Sequence, residues 1–175
     1  MSRPLRFAPL IVLALLVAAM VWRLASPSDT AVRSQLEGQK VPAFTLPPAI
    51  PSKPGLSSKD LATGSPRLVN IFASWCVPCI TEVQVLQQLA RRGVAIDGIA
   101  IRDRPEDVTA FLARRGDPYQ RIGSDDQSRV QIAMGSSGVP ESFIVDGRGI
   151  IRYQHIGPIE AADMPTILAE MEQAR

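Results

Sequence analysis

Apolar and polar positions follow regular patterns in this chain of 175 residues from about residue 67 onward. Short apolar runs at 67–73 and 94–101 predict buried strands, because such runs lie between turn residues and are too short for helices. The segment 141–156 has two apolar halves around Asp146-Gly147, which predicts a β-hairpin. The pattern therefore predicts two buried strands and a hairpin, and the segments between them have the apolar spacing of helices.

Apolar residues recur at helical spacing between these strands. Two of the helices carry clear end signals: arginines followed by glycine at Gly93 and Gly116, and a proline with two acids from Pro105. Helices are predicted at 79–92, from Pro105 to Gly116, at about 127–134 and at 166–173. The order is β-α-β-α-β-β-α, and a proline-rich stretch at 38–61 places a short strand at 44–46 in front of it. We therefore predict an α/β protein with a mixed sheet in a three-layer sandwich.

The N-terminal pattern is different, since residues 7–22 are apolar without interruption. Sixteen helical residues span roughly 24 Å, a little less than the ~30 Å hydrocarbon core, and Arg6 and Arg23 can extend outward to the interface. A cleaved signal peptide is the alternative interpretation, but Arg23 stands where a cleavage site after Ala25 needs a small residue. The arginines at the N-terminus favour a cytoplasmic N-terminus and a domain outside the cytoplasm.

These features predict four regions along the chain. They are a cytoplasmic N-terminus at 1–6, a transmembrane signal-anchor helix at 7–24, a linker at 25–36 and a folded domain at 37–175. The apolar fraction of 46% is typical of a globular protein rather than a disordered one. A net charge of +2 with scattered basic residues argues against a nucleic-acid surface.

The chain has two cysteines, Cys76 and Cys79, between the first predicted core strand and its helix. A zinc site needs four ligands, and His155 is the only histidine that could join them, so no metal site is expected. A structural disulfide over so short a loop would add little stability. A redox pair is consistent with cysteines at the start of a helix. A thiolate there accepts hydrogen bonds from the unpaired backbone N–H groups, which lowers the pKa of the thiol. Cys76, expected at the exposed start of the motif, is then the nucleophile, and Cys79 resolves the mixed disulfide.

Four stretches between about residues 38 and 158 are distinctive: VPAFTLP, LVNIFASWCVPCITE, FLARRGDPY and GVPESFIVDGRGIIRYQHIGP. In these stretches the chain resembles the thioredoxin superfamily, and most closely the membrane-anchored CcmG/DsbE type that serves cytochrome c maturation. The stretches IRD at 101–103 and GSSGVPES at 135–142 depart from the usual family pattern at positions linked to partner contact.

The resemblance implies further site residues. Asn70 stands where thioredoxin has a buried acid, so Glu82 and Glu141 are the candidates for relaying the proton of Cys79. The alternative for both is a solvated surface carboxylate. The resemblance also implies a cis bond at Pro140.

Partner contacts are implied at the same end of the domain. The resemblance assigns peptide pairing to the backbone of Val139. Trp75 either shields the sulfurs and contacts partners or is an ordinary aromatic at the domain edge. His155 is expected to be a hairpin residue without a catalytic role.

By resemblance, the protein is a monomeric reductant without a cofactor, tethered to the bacterial inner membrane and facing the periplasm. It would reduce the CxxCH cysteines of apocytochrome c, or a dithiol protein of that pathway, with electrons from a transmembrane thiol reductase. Two alternatives remain: a general periplasmic disulfide reductase, and a non-enzymatic module that holds apocytochrome or haem.

Overall fold

A computed structural model describes residues 8–25 and 36–175 of the chain. These form parts of two units, which divide between Val32 and Arg33. In the first unit, helix α1 spans Ala8–Ala25 over the apolar run. Among the described residues, no helix combines the length and the apolarity needed to cross a membrane. The predicted cytoplasmic N-terminus and nearly all of the predicted linker lie outside the described residues.

The second unit is built on a five-stranded mixed sheet in the order β5-β4-β3-β6-β7. Strands β5, β4 and β3 run parallel, and β6 and β7 are antiparallel to their neighbours. A separate two-stranded ribbon pairs β1 with β2. The strands are β1 Thr45–Leu46, β2 Leu56–Ser57, β3 Arg67–Phe72, β4 Ile96–Ile101, β5 Arg121–Asp125, β6 Glu141–Val145 and β7 Ile151–Ile156. The helices are α2 Val77–Arg91, α3 Pro105–Arg115, α4 Arg129–Ala133 and α5 Met164–Gln173.

Alternate residues of each strand divide the sheet into two faces, which are covered differently. On one face, Phe72 of β3 stacks on Phe111 of α3 with ring centroids 5.9 Å apart, and α2 packs against α3 and α5. On the other face lies the β1–β2 ribbon, which sits so close to β5 that a Cβ on Gly123 would be 2.8 Å from Leu46 Cβ. The prediction of an α/β fold with a mixed sheet in three layers is confirmed for this unit.

The structure corrects several predicted boundaries. Helix α2 begins at Val77 rather than at residue 79, since Cys76 takes the N-cap position, and α4 has five residues instead of about eight. Strand β5 was not predicted, because Arg121–Asp125 is a polar edge strand without an apolar run. Its strand conformation comes from pairing with β4 rather than from its own sequence pattern. The predicted helix from Pro105 to the Gly116 cap is confirmed.

Candidate active site

The cysteine pair lies where β3 ends and α2 begins, and the two sulfurs form a disulfide with Cα atoms 5.3 Å apart. Cys76 is the N-cap of α2, and its Sγ accepts the backbone N–H of Cys79 at 3.2 Å. In the reduced protein, the same N–H group and the helix dipole favour a thiolate at Cys76. Pro78 occupies the first turn, where its missing N–H leaves no helical hydrogen bond unmade.

Cys76 is not exposed, contrary to the sequence-based expectation. Cys76 is 4% exposed and Cys79 is 1% exposed, and their sulfurs are bonded to each other. Its neighbours in the chain form the surface instead: Trp75 is 57% exposed and Val77 71% exposed. The disulfide is therefore reached through a rim of apolar side chains.

Trp75, which directly precedes Cys76 in the chain, lines a shallow cavity of about 270 Å³. The indole N–H donates to the Arg102 carbonyl at 3.2 Å, which holds the ring against the end of β4. Val139 lines the same cavity from the segment that precedes β6, and Ile132 lines it from α4. The structure thus brings two of the predicted partner-contact residues, Trp75 and Val139, to one concave surface.

The segment before β6 ends in a cis peptide bond between Val139 and Pro140. Since β6 is antiparallel to β3, the start of β6 lies at the edge of the sheet where β3 runs into the cysteine turn. Pro140 is buried, and its carbonyl accepts the N–H of Gly157 at 3.1 Å. Within the described residues, the backbone of Val139 makes no hydrogen bond, so it is free to pair with an added strand.

Glu82 lies one helical turn after Cys79 and is 1% exposed, which rules out the alternative of a surface carboxylate. Its Oε1 accepts the side-chain amide of Asn70 at 2.9 Å, and its Oε2 accepts the backbone N–H of Ile159 at 3.0 Å. Burial raises the pKa of Glu82 to about 7, although both hydrogen bonds oppose that rise by stabilising the ionised form. At neutral pH such a carboxyl group can both accept and release a proton.

Glu141 is equally buried but lies elsewhere. The strand register pairs Glu141 with Ile71 and Ser142 with Asn70, so Glu141 points to the sheet face opposite Asn70 and Glu82. Its Oε2 accepts the backbone N–H of Ser137 at 2.8 Å, and its Oε1 accepts from the Gln154 side chain. Glu141 therefore holds the segment that carries the cis peptide bond.

Sequence reasoning missed Asp103 as a support of the cysteine turn. Its carboxylate accepts the Ser74 backbone N–H at 2.5 Å and the Ser74 hydroxyl at 2.7 Å. A signal for it was present, since parallel strands β3 and β4 end at one edge, and Asp103 follows β4 as Ser74 follows β3. Sequence reasoning also missed Tyr119, whose hydroxyl donates to Asn70 Oδ1 at 2.7 Å.

Two other expectations concern metal ions and His155. Within the part of the chain that the structure describes, no three His, Cys, Asp or Glu side chains are grouped so that they could hold a metal ion. His155 lies on β7 of the hairpin, as its sequence predicted, and its Nε2 is 3.2 Å from the Pro158 carbonyl.

Comparison with known proteins agrees with this geometry. Residues 36–170 match the Redoxin family. The chain is 38% identical over 159 residues to the thiol:disulfide interchange protein HelX of Rhodobacter capsulatus, covering 91% of this chain and 90% of that protein. It is 34% identical over 165 residues to the thiol:disulfide interchange protein DsbE of Escherichia coli K12, covering 91% and 88%.

Solved structures show the same fold. The crystal structure of a thiol:disulfide interchange protein DsbE from Chlorobium tepidum aligns with a TM-score of 0.66 at 25% identity, over 79% of this chain and 96% of that one. A thioredoxin-family thiol:disulfide interchange protein from the same organism aligns with a TM-score of 0.58 at 27% identity, over 77% and 94%. The architecture built on β3–β7 is therefore the thioredoxin-like fold.

Proposed function

Because the chain belongs to the Redoxin family and, within it, to the DsbE and HelX type of thiol:disulfide interchange protein, we propose that it is a reductant in cytochrome c maturation. As a thiol:disulfide oxidoreductase, it would reduce the CxxCH cysteines of apocytochrome c or a dithiol protein of the same pathway. A thioether to haem forms only from a free thiol, so an oxidising compartment requires such a reductant. The observation that carries the proposal is the Cys76–Cys79 disulfide at the N-terminus of α2, directly after Trp75, which lines a concave surface.

The reaction begins with both cysteines reduced. The Cys76 thiolate attacks one sulfur of the partner disulfide, and the partner's other sulfur leaves as a thiolate that takes a proton from water. Cys79 then gives its proton to Glu82, and its sulfur attacks Cys76 Sγ. The second partner thiolate leaves, and the Cys76–Cys79 disulfide forms as the partner disulfide is reduced.

Partner binding would use the concave surface that Trp75 and Val139 line. An extended peptide would pair with the unbonded backbone of Val139, next to Pro140, and place its own sulfur near Cys76. Trp75 and the apolar rim would exclude water from the mixed disulfide. A transmembrane thiol reductase would then return two electrons to the Cys76–Cys79 pair.

Limited alkylation of the reduced protein, followed by mass spectrometry, tests the roles of the two cysteines. Cys76 should react much faster than Cys79, because Cys76 occupies the N-cap and Cys79 is within the first turn. Faster labelling of Cys79 would reverse the assignment.

The rival substrate assignment is a general periplasmic disulfide reductase. We expect an oxidised CxxCH peptide of apocytochrome c to be reduced about tenfold faster than an unrelated protein disulfide of equal potential. Equal rates would favour the general reductase. A double Cys76→Ser and Cys79→Ser variant that still supports cytochrome maturation would favour a binding module instead.

We also propose that residues 7–24 hold a monomeric protein at the bacterial inner membrane with the domain in the periplasm. Support comes from the apolar run that Arg6 and Arg23 bound in the sequence. The full chain should sediment with membranes, and removal of residues 1–25 should release a folded monomer by size-exclusion chromatography. N-terminal sequencing that finds a mature chain starting near residue 26 would refute the anchor.

A further inference from the structure

A chain of buried polar side chains connects Tyr119 with the carboxylate of Glu82 through Asn70. The Tyr119 hydroxyl donates to Asn70 Oδ1 at 2.7 Å, and Asn70 Nδ2 donates to Glu82 Oε1 at 2.9 Å. The second N–H of the Asn70 amide reaches the Ser142 hydroxyl at 3.0 Å. Asn70 is fully buried and Tyr119 is 3% exposed, so these hydrogen bonds do not compete with bulk water.

The chemistry of the partners determines which way the Asn70 amide points. An ionised carboxylate only accepts, so when Glu82 is ionised the amide nitrogen of Asn70 faces Glu82 and its oxygen faces Tyr119. The Tyr119 hydroxyl supplies the hydrogen that this oxygen requires. Without the hydroxyl, a buried acceptor would be left unpaired, and the amide could rotate to place its oxygen against the Glu82 carboxylate.

Tyr119 is itself held firmly in place. Its ring stacks on Phe72 with centroids 4.8 Å apart. The two rings lie so close over β4 that a Cβ on Gly98 would be 2.9 Å from Phe72 and 3.1 Å from Tyr119. The backbone carbonyl of Tyr119 accepts from Lys53, whose ammonium group also pairs with Asp117 at 2.7 Å. The segment between α3 and β5 thus presents one fixed hydroxyl group to the interior.

We propose that Asn70 and Tyr119 are positioning residues, which keep the Glu82 carboxylate oriented toward the Cys79 side of α2 and set its protonation. This inference rests on the proposed role of Glu82 in proton transfer. The Asn70 amide is not titratable near neutral pH, so it can orient Glu82 without competing for the proton of Cys79.

The surroundings of Glu82 contain few other groups that could set its protonation. Cys79 lies on its own helix, Ser142 on β6 and Tyr119 before β5, and the N–H of Ile159 comes from the segment before α5. His155 on β7 lies beside Ser142 in the strand register. No ion pair involves Glu82 within residues 36–175. Burial and hydrogen bonds from neutral groups therefore determine how readily Glu82 is protonated.

Tyr119→Phe is the direct test, with Tyr153→Phe as the matched control, because Tyr153 is the other tyrosine of the chain and does not bond Asn70. The Glu82 carboxyl carbon is followed by ¹³C NMR during a pH titration of the oxidised protein. Loss of the hydroxyl should raise the titration midpoint by about one pH unit, while the control stays within about 0.2. An unchanged midpoint in Tyr119→Phe would overturn the proposal.

Asn70→Asp is a second variant that keeps the size of the side chain. Two adjacent carboxyl groups share a proton, so Glu82 and the new acid should titrate in two coupled steps, the upper one above the wild-type midpoint. A single step at the wild-type midpoint would contradict the predicted contact. A separate experiment tests whether Glu82 transfers a proton at all. If it does not, Glu82→Gln should leave the rate–pH profile of disulfide exchange unchanged, whereas the NMR titration still tests whether Asn70 and Tyr119 position Glu82.

Discussion

Glu82 and Glu141 are two buried carboxylates of the same domain, and they lie on opposite faces of one sheet. Glu82 lies on α2, the helix whose N-terminus holds the cysteine pair. Its carboxylate accepts hydrogen bonds from the Asn70 amide and from the backbone N–H of Ile159, which precedes α5. Glu141 is bound by the Ser137 N–H and by Gln154, beside the segment of the cis peptide bond. Equal burial therefore does not imply equal roles: we propose that Glu82 takes the proton of Cys79, whereas Glu141 holds the segment that shapes the partner surface.

The largest effect is expected when the step that needs Glu82 is removed altogether. Cys79→Ser leaves the attack of Cys76 intact but stops resolution, so steady-state turnover should fall by about 1,000-fold or more, and a mixed disulfide should accumulate. Non-reducing electrophoresis with mass spectrometry detects it. In this background, adding Glu82→Gln should not change the rate of the first attack. If Glu82→Gln slowed the attack of Cys76 in this background, Glu82 would act in the first step rather than in the resolving step.

The second prediction concerns the free energy of unfolding of the oxidised protein as a function of pH. Burial raises the pKa of Glu82 from 4.5 to about 7, so the folded state binds this proton more tightly than the unfolded state. The contribution of Glu82 to stability is therefore present below about pH 4.5 and is lost as the pH rises to about 7. The loss amounts to about 3 kcal/mol.

Glu82→Gln should abolish this loss, whereas Glu160→Gln, which changes an exposed carboxylate nearby, should keep it. Chemical denaturation at several pH values between 4 and 8 measures the difference. A wild-type protein whose stability relative to Glu82→Gln does not change over this range would contradict the raised pKa.

The third prediction concerns the rate of disulfide exchange. Glu82→Gln should slow the resolving step by about tenfold near pH 7 and remove the titration of that rate near neutrality, since water must then take the proton of Cys79. Single-turnover kinetics over a pH range separates this step from partner binding. If Glu82→Gln and the double variant Glu82→Gln/Glu141→Gln both keep the wild-type rate–pH profile, neither carboxylate takes part in proton transfer.

The smallest effect is expected for Glu141→Gln. The Ser137 N–H keeps an acceptor in this variant, but the interaction loses its charge, so the segment that ends at Pro140 should loosen slightly. We expect a two- to fivefold rise in KM for a peptide disulfide, with little change in the rate of the resolving step. A shift in the rate–pH profile equal to that of Glu82→Gln would remove the distinction between the two acids.

Much of the fold could be predicted because its central elements carry strong local signals. Strand β3 is an apolar run, α3 begins with Pro105 and is capped at Gly116, and the hairpin β6–β7 carries its own turn. Strand β5 could not be found in this way, because its residues are polar and its conformation depends on pairing with β4. The small β2 pairs with β1 across a loop that has no regular pattern.

The sequence alone determined the chemistry of this protein, since two cysteines at the boundary of a strand and a helix admit few uses other than redox exchange. It also placed Glu82 within one helical turn of Cys79, because helical spacing is a local property. Tertiary structure decided the rest. Only folding shows that Cys76 is buried, that Glu141 points away from Glu82, and that Tyr119 reaches Asn70, 49 positions away. Such contacts depend on strand register and on packing between distant segments, which no local pattern encodes.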